Sequence, residues 1–207
     1  MARKKIEFRP DPTGFDWAGK LLLTQKQRRS VLKWLLYSLT CVAGLVLQDS
    51  MLAQLRLLGG CFELAPALII LICVLEGTEN GSVFALVASM IYVFSGTGQD
   101  RYCILYLTLA AVLAAAFRQG YLRRGTGSDL ICVGGAMVLY ELALFATGVF
   151  LELTYSARWG VFVMTALAGT LGAGAAYVPL KRIGTIGGNA WKEYPVFAPL
   201  PCCWPLP

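Results

Sequence analysis

Histidine is absent from the 207 residues, which removes the commonest general base and metal ligand at neutral pH. Charge is scarce as well, at 14% of the chain. There is no glycine-rich phosphate loop, no histidine-based triad and no pair of aspartates at membrane depth, so the convergent reactive groups of an enzyme are missing. The seven cysteines (41, 61, 73, 103, 132, 202 and 203) lack the paired spacing of a zinc site. Most fall inside apolar runs, where cysteine behaves as a small hydrophobe. The chain therefore reads as a non-enzyme that needs no cofactor.

What it has is apolar surface. Hydrophobic residues make up 57% and the mean hydropathy is +0.63, too apolar for an ordinary soluble domain and enough for one compact membrane bundle. The net charge of +6 would suggest nucleic acid on a soluble protein. In this composition it predicts basic residues at one membrane face, touching lipid headgroups, and no nucleic-acid partner.

The segment Asp129 to Leu151, DLICVGGAMVLYELALFATGVFL, is long enough to cross a hydrocarbon core about 30 Å thick as a helix. It carries Glu141 near its middle. A carboxyl group at that depth costs at least about 2.5 kcal/mol, so Glu141 is expected to face other helices, to pair with a donor or to stay protonated. Tyr140, Tyr106 and Thr170 are the candidate donors. A contact with a partner's transmembrane helix or a ligand is the alternative use of the same side chain.

Five further apolar segments give about six spans. The first is Val31 to Leu47, with Lys33 and Trp34 placed to snorkel and to anchor at the interface. The second, Leu64 to Leu75, is only about half a crossing; it either begins earlier, through Leu57 to Phe62, or re-enters the membrane. Pro66 near its start suits a first helical turn. The polar turn EGTENG leads to the third span, Gly81 to Ser95. The loop SGTGQD leads to the fourth, Tyr102 to Phe117, which is rich in alanine. The basic loop RQGYLRRGTGS, with Arg118, Arg123 and Arg124, precedes the Glu141 helix; it is expected to fix topology and touch anionic headgroups, with docking to a cytosolic partner as the sharper use. The last span, Trp159 to Leu180, carries Ala168, Gly172 and Ala176 at a spacing that permits close helix approach, and it is expected to stop at Pro179, Lys181 and Arg182.

Residues 1–30 form a basic N-terminal tail, 31–182 the transmembrane domain and 183–207 a glycine- and proline-rich C-terminal tail. Phe15 to Leu23 has some of the character of a segment lying on a membrane surface, and the late first span reads as an uncleaved anchor. With six spans and an interior N-terminus, fifteen Lys and Arg residues lie inside and only Arg56, Arg101 and Arg158 outside. Both termini are therefore expected in the cytoplasm.

The order of these features resembles the MreD family of bacterial rod shape-determining membrane proteins, over roughly residues 31 to 184. The family's proline-led second span is similar to LAPALIILICVLEG, with Pro66 and Gly77. Its tyrosine–glutamate helix is similar to VLYELALF, with Tyr140 and Glu141. Its small-residue last helix is similar to GTLGAGAAYVPLKRI, with Gly172. The chain departs from the family at the third span, where FALVASMIYVFSG lacks the usual glycines and aspartate.

The resemblance implies a non-catalytic inner-membrane component of the machinery that builds side-wall peptidoglycan. Implied partners are the bitopic protein MreC, the MreB filament, the RodA glycosyltransferase and its class B penicillin-binding protein. It also implies a fold like the substrate-binding S components of energy-coupling-factor (ECF) vitamin transporters, which is the competing functional reading. That reading requires a closed pocket lined by aromatic and polar groups, whereas the scaffold requires an outer groove that receives a helix.

Overall fold

The structure, a computed structural model, describes residues 25–50, 62–96, 101–122 and 125–186. Six α-helices are present among these residues: α1 (Gln25–Ser50), α2 (Leu64–Glu76), α3 (Thr78–Phe94), α4 (Cys103–Tyr121), α5 (Thr126–Phe150) and α6 (Trp159–Ile186), the last preceded by a 3-10 turn at Ser156–Arg158. The described residues contain no strand. Residues 1–24 and 187–207 of the expected tails, the segment Leu57 to Cys61, Arg123, Arg124, Cys202 and Cys203 lie outside the described residues, whereas residues 25–30 and 183–186 of those tails are helical, in α1 and α6.

Four stretches, Arg28–Ser50, Cys103–Tyr121, Thr126–Phe150 and Ser156–Thr185, are long and apolar enough to cross a membrane. Their outward faces are hydrophobic: Leu39, Leu105, Ile131 and Leu171 are each at least 60% exposed. A surface of this kind is stable only where the surroundings are apolar too. The chain is an all-α, multi-pass membrane protein.

α2 is different. Its 13 residues reach only about 20 Å, less than a hydrocarbon core, and 12 of them are buried. The other five helices ring it in the order α3, α4, α5, α6 and α1. Hydrophobic periodicity is lost on such a helix because every face meets protein, and LAPALIILICVLE reads as an unbroken apolar run. Pro66 sits in its first turn, where the missing N–H removes no intrahelical bond.

Besides the early start of α1, at Gln25 rather than Val31, the helix boundaries depart from the sequence expectation at three places. EGTENG is not an extended turn: Gly77 alone separates α2 from α3, at φ 91° and ψ 178°, a conformation open essentially to glycine. α2 begins at Leu64, and Phe62 and Glu63 before it are not helical. α6 does not stop at Pro179 but continues to Ile186. The proline leaves the Ala175 carbonyl without its helical donor, a loss that transmembrane helices tolerate.

Small residues set the close approaches. A Cβ on Gly81 would stand 2.8 Å from the Cys73 carbonyl oxygen and 2.9 Å from its Cα, so α3 packs directly on the α2 backbone. Gly169 and Gly172 form a notch on α6 that receives the start of α2. A Cβ on Gly169 would come 2.9 Å from the Glu63 carbonyl oxygen, and one on Gly172 would come 2.7 Å from Leu64 Cδ1. Ala110, Ala111, Ala114 and Ala115 of α4 are buried in the same core.

A Gly81→Ala variant is expected to lose about 1–3 kcal/mol, because the obstructing atoms are backbone and cannot rotate away. Gly120→Ala, where nothing lies within 4 Å of the added carbon, is the control. Thermal unfolding in detergent measures both, and a midpoint unchanged in Gly81→Ala would contradict the close contact.

Candidate functional site

The polar residues of the bundle gather at the two ends of α2. At its C-terminal end two buried ion pairs form. Lys33 of α1 is 4% exposed, and its Nζ donates to Glu76 Oε2 at 2.5 Å. Tyr37, one turn further along α1, donates its hydroxyl to Glu76 Oε1 at 2.8 Å, so both oxygens of the carboxylate are occupied. Lys33 therefore does not snorkel. It is held inward because Glu76 ends a buried helix and offers a stronger partner than the interface. Trp34 likewise packs inward, with its ring centroid 5.8 Å from that of Phe84 and 5.9 Å from that of Tyr37.

The second pair joins α4, α5 and α6. Arg118 Nε lies 2.5 Å from Asp129 Oδ1, and Tyr177 donates to Asp129 Oδ2 at 2.8 Å. Arg118 Nη1 also donates to the Val74 carbonyl at 2.9 Å. That carbonyl belongs to the last turn of α2, where four acceptors lack helical partners and a cation is favoured. The expectation of a headgroup- or partner-facing Arg118 is thus corrected. The residue lies in the final turn of α4, and its guanidinium is drawn under the bundle by the open end of α2.

At the start of α2 the donors and acceptors are reversed. Gln48 of α1 accepts a hydrogen bond from the Ala65 amide at 2.8 Å, which satisfies one of the open N–H groups of the first turn. Tyr92 of α3 lies beside Gln48. Beside them the carboxyl groups of Glu63 and Glu141 come within hydrogen-bonding reach of each other. Both residues are buried, and Glu63 Oε2 and Glu141 Oε1 meet no donor among the described residues. Tyr140 is buried, and its ring hydroxyl lies within electrostatic reach of both carboxyls.

The partner of Glu141 is therefore another acid. Tyr106 donates to or accepts from Thr147 at 2.8 Å, and Thr170 bonds the Leu167 carbonyl of its own helix, so neither serves Glu141. Glu63 had a sequence signal, being a lone acid just before a proline-led apolar run. Nothing in one chain shows that such an acid faces inward.

Of the residues singled out in the sequence, Pro66, Tyr140, Glu141 and Gly172 lie around the start of α2, while Arg118 lies at its other end. Arg123 and Arg124 fall outside the described residues. Gly172 packs within the chain, against Phe62 and Leu64. The described cysteines, 41, 73, 103 and 132, are buried and free, and no group of three or more metal-ligating side chains gathers among the described residues.

Two concavities are the best formed. One of about 70 Å³ lies between α5 and α6, walled by apolar side chains including Phe145, Trp159 and Phe162, with Glu141 among its lining residues. The other, about 150 Å³, sits under the turn between the same helices and is lined by Tyr102, Thr147, Thr154 and Phe162 among others. Comparison with known proteins adds nothing to this geometry: no protein-family model, curated protein or solved structure matches the chain.

Arg118→Met is expected to cost about 3–5 kcal/mol, because Asp129 is left as an uncompensated buried charge. Adding Asp129→Leu should recover part of that loss. Thermal unfolding of the two single variants and the double variant checks this, and strict additivity would mean that the two side chains do not interact.

Proposed function

We propose that the chain is a non-catalytic membrane component of the bacterial cell-elongation machinery, of the MreD kind, built as a six-helix bundle of the ECF S-component type. In this reading both termini lie in the cytoplasm and the protein sits in the cell membrane. It contacts an MreC-type bitopic protein and, directly or through it, an MreB-type filament, RodA and a class B penicillin-binding protein.

The observation that supports this reading best is the occupation of the bundle's middle by α2. Its side chains fill the space between the five outer helices. The best-formed concavities lie elsewhere, and neither approaches the roughly 300 Å³ at which small-molecule pockets begin. The features left for recognition are lateral ones: an apolar belt and the groove between α5 and α6. A protein that works by presenting a shaped surface to neighbouring helices needs those and little more. The competing S-component reading would place a vitamin in an enclosed chamber with polar walls.

Affinity purification from native membranes decides between the two. The expected result is co-purification of a bitopic MreC-type protein with no small molecule. Recovery of a bound vitamin together with a paired ATPase would replace the scaffold with a transporter subunit. Deletion of the gene is expected to round a rod-shaped host; unchanged cell width and length would remove the elongation role.

A further inference from the structure

We propose that Glu63 and Glu141 form a binding site for one proton in the membrane interior, and that this proton fastens the entrance of α2 to α5. The site is independent of which partner the protein serves.

Geometry carries the inference. Glu63 precedes α2, Glu141 lies in the middle of α5, and their carboxyl groups are within hydrogen-bonding reach of each other. Ionised carboxylates only accept, so two of them make a hydrogen bond only with a proton between them. Each group also has a buried oxygen, Glu63 Oε2 and Glu141 Oε1, with no donor among the described residues. Neither oxygen is exposed to solvent that could substitute for one.

Among the described residues, the surroundings bring no other cation to the pair. α1 contributes Gln48, whose side-chain oxygen is already bonded to the Ala65 amide. α3 contributes Tyr92, α4 Cys103 and α5 Tyr140, all neutral groups, and each lies close to the acids or to the tyrosines beside them. α6 contributes the Gly169 notch and carries no titratable side chain between Trp159 and Ala176. The buried cations Lys33 and Arg118 are committed at the other end of α2. On α5, Asp129 and Glu141 are separated by roughly 18 Å of helix, which sets the distance between the Arg118 pair and the dyad.

The placement gives the proton a structural consequence. The Glu63 backbone is lodged in the α6 notch, with its carbonyl facing Gly169, and its side chain reaches α5. With the proton present, the last residue before α2 is tied to both helices. Without it, two like charges face each other in a medium of low dielectric, and separation of Glu63 from α5 is the available relief. The proton comes from water and returns to it, so the step involves no other reactant.

Infrared spectroscopy of the protein in lipid nanodiscs, with carbon-13 glutamate to assign the signal, tests the proposal. A protonated-carboxyl stretch is expected in the wild type at neutral pH. Glu63→Gln and Glu141→Gln should each abolish it, because the new amide donates to the remaining carboxylate. On alkaline titration, loss of the stretch should coincide with faster hydrogen exchange at amides 64–70, beyond the intrinsic pH effect seen in the Glu63→Gln/Glu141→Gln double variant.

A wild type without the stretch at neutral pH would overturn the site whether or not the variants fold. A stretch that survives both single substitutions would do the same. Loss of the stretch on replacing choline with sodium at fixed pH would assign the dyad to a metal cation instead. Loss on titration with unchanged exchange at amides 64–70 would overturn the fastening.

Discussion

A helix of 13 residues whose two ends are buried among other helices has unpaired amides at one end and unpaired carbonyls at the other. Buried there, away from bulk water, each group left open is costly. α2 is in that position, and much of the bundle's polar chemistry answers it. Gln48 takes an amide at the start. Arg118 gives to a carbonyl at the finish, and Lys33 closes on the final glutamate. Both cations stand where the helix dipole is negative.

The lengths agree with this account. Glu63 to Glu76 spans roughly 20 Å of chain at helical rise. On α1, Lys33 and Gln48 are separated by roughly 22 Å, and on α5, Asp129 and Glu141 by roughly 18 Å. The outer helices thus carry their polar residues at two heights that match the two ends of the inner one. Charge at membrane depth is expensive, and in this chain it is concentrated where a short helix needs it. The Gly169 and Gly172 notch and the Gly81 contact then let the α2 backbone come close enough for those side chains to reach.

Much of the architecture was legible from periodicity and length. The apolar blocks fall within a few residues of the helices, because an 18- to 25-residue apolar run in a chain this hydrophobic has little alternative to a helix. What sequence could not supply was direction. Lys33 and Arg118 flank apolar runs, and a basic residue in that position ordinarily faces headgroups; only the placement of Glu76, Asp129 and the Val74 carbonyl shows that these two turn inward. Glu141 was conspicuous by its depth. Its neighbour Glu63 was not, since it sits 78 positions away and beside a loop. The misplaced end of α6 has a similar cause: Pro179 is a strong stop signal in water and a weak one where neighbouring helices hold the turn together.

The two ends of α2 differ in a way that bears on how such a bundle could work. At the C-terminal end each acid is matched by a cation and by a tyrosine hydroxyl, and every carboxylate oxygen has one or the other beside it. An arrangement of that kind has one low-energy state, and removing either partner exposes a buried charge. At the N-terminal end acid meets acid, and the balance depends on something taken from outside the chain. α2 is therefore fixed at one end by groups the sequence encodes and conditional at the other. Glu141 belongs both to the conditional end and to the lining of the groove between α5 and α6, so a change in the dyad and a change in that lateral surface share a side chain. A neighbour that seats in the groove would press on apolar atoms of the same residue, and where that contact shifts the dyad, binding and the state of the dyad are linked, each altering the other by the same factor.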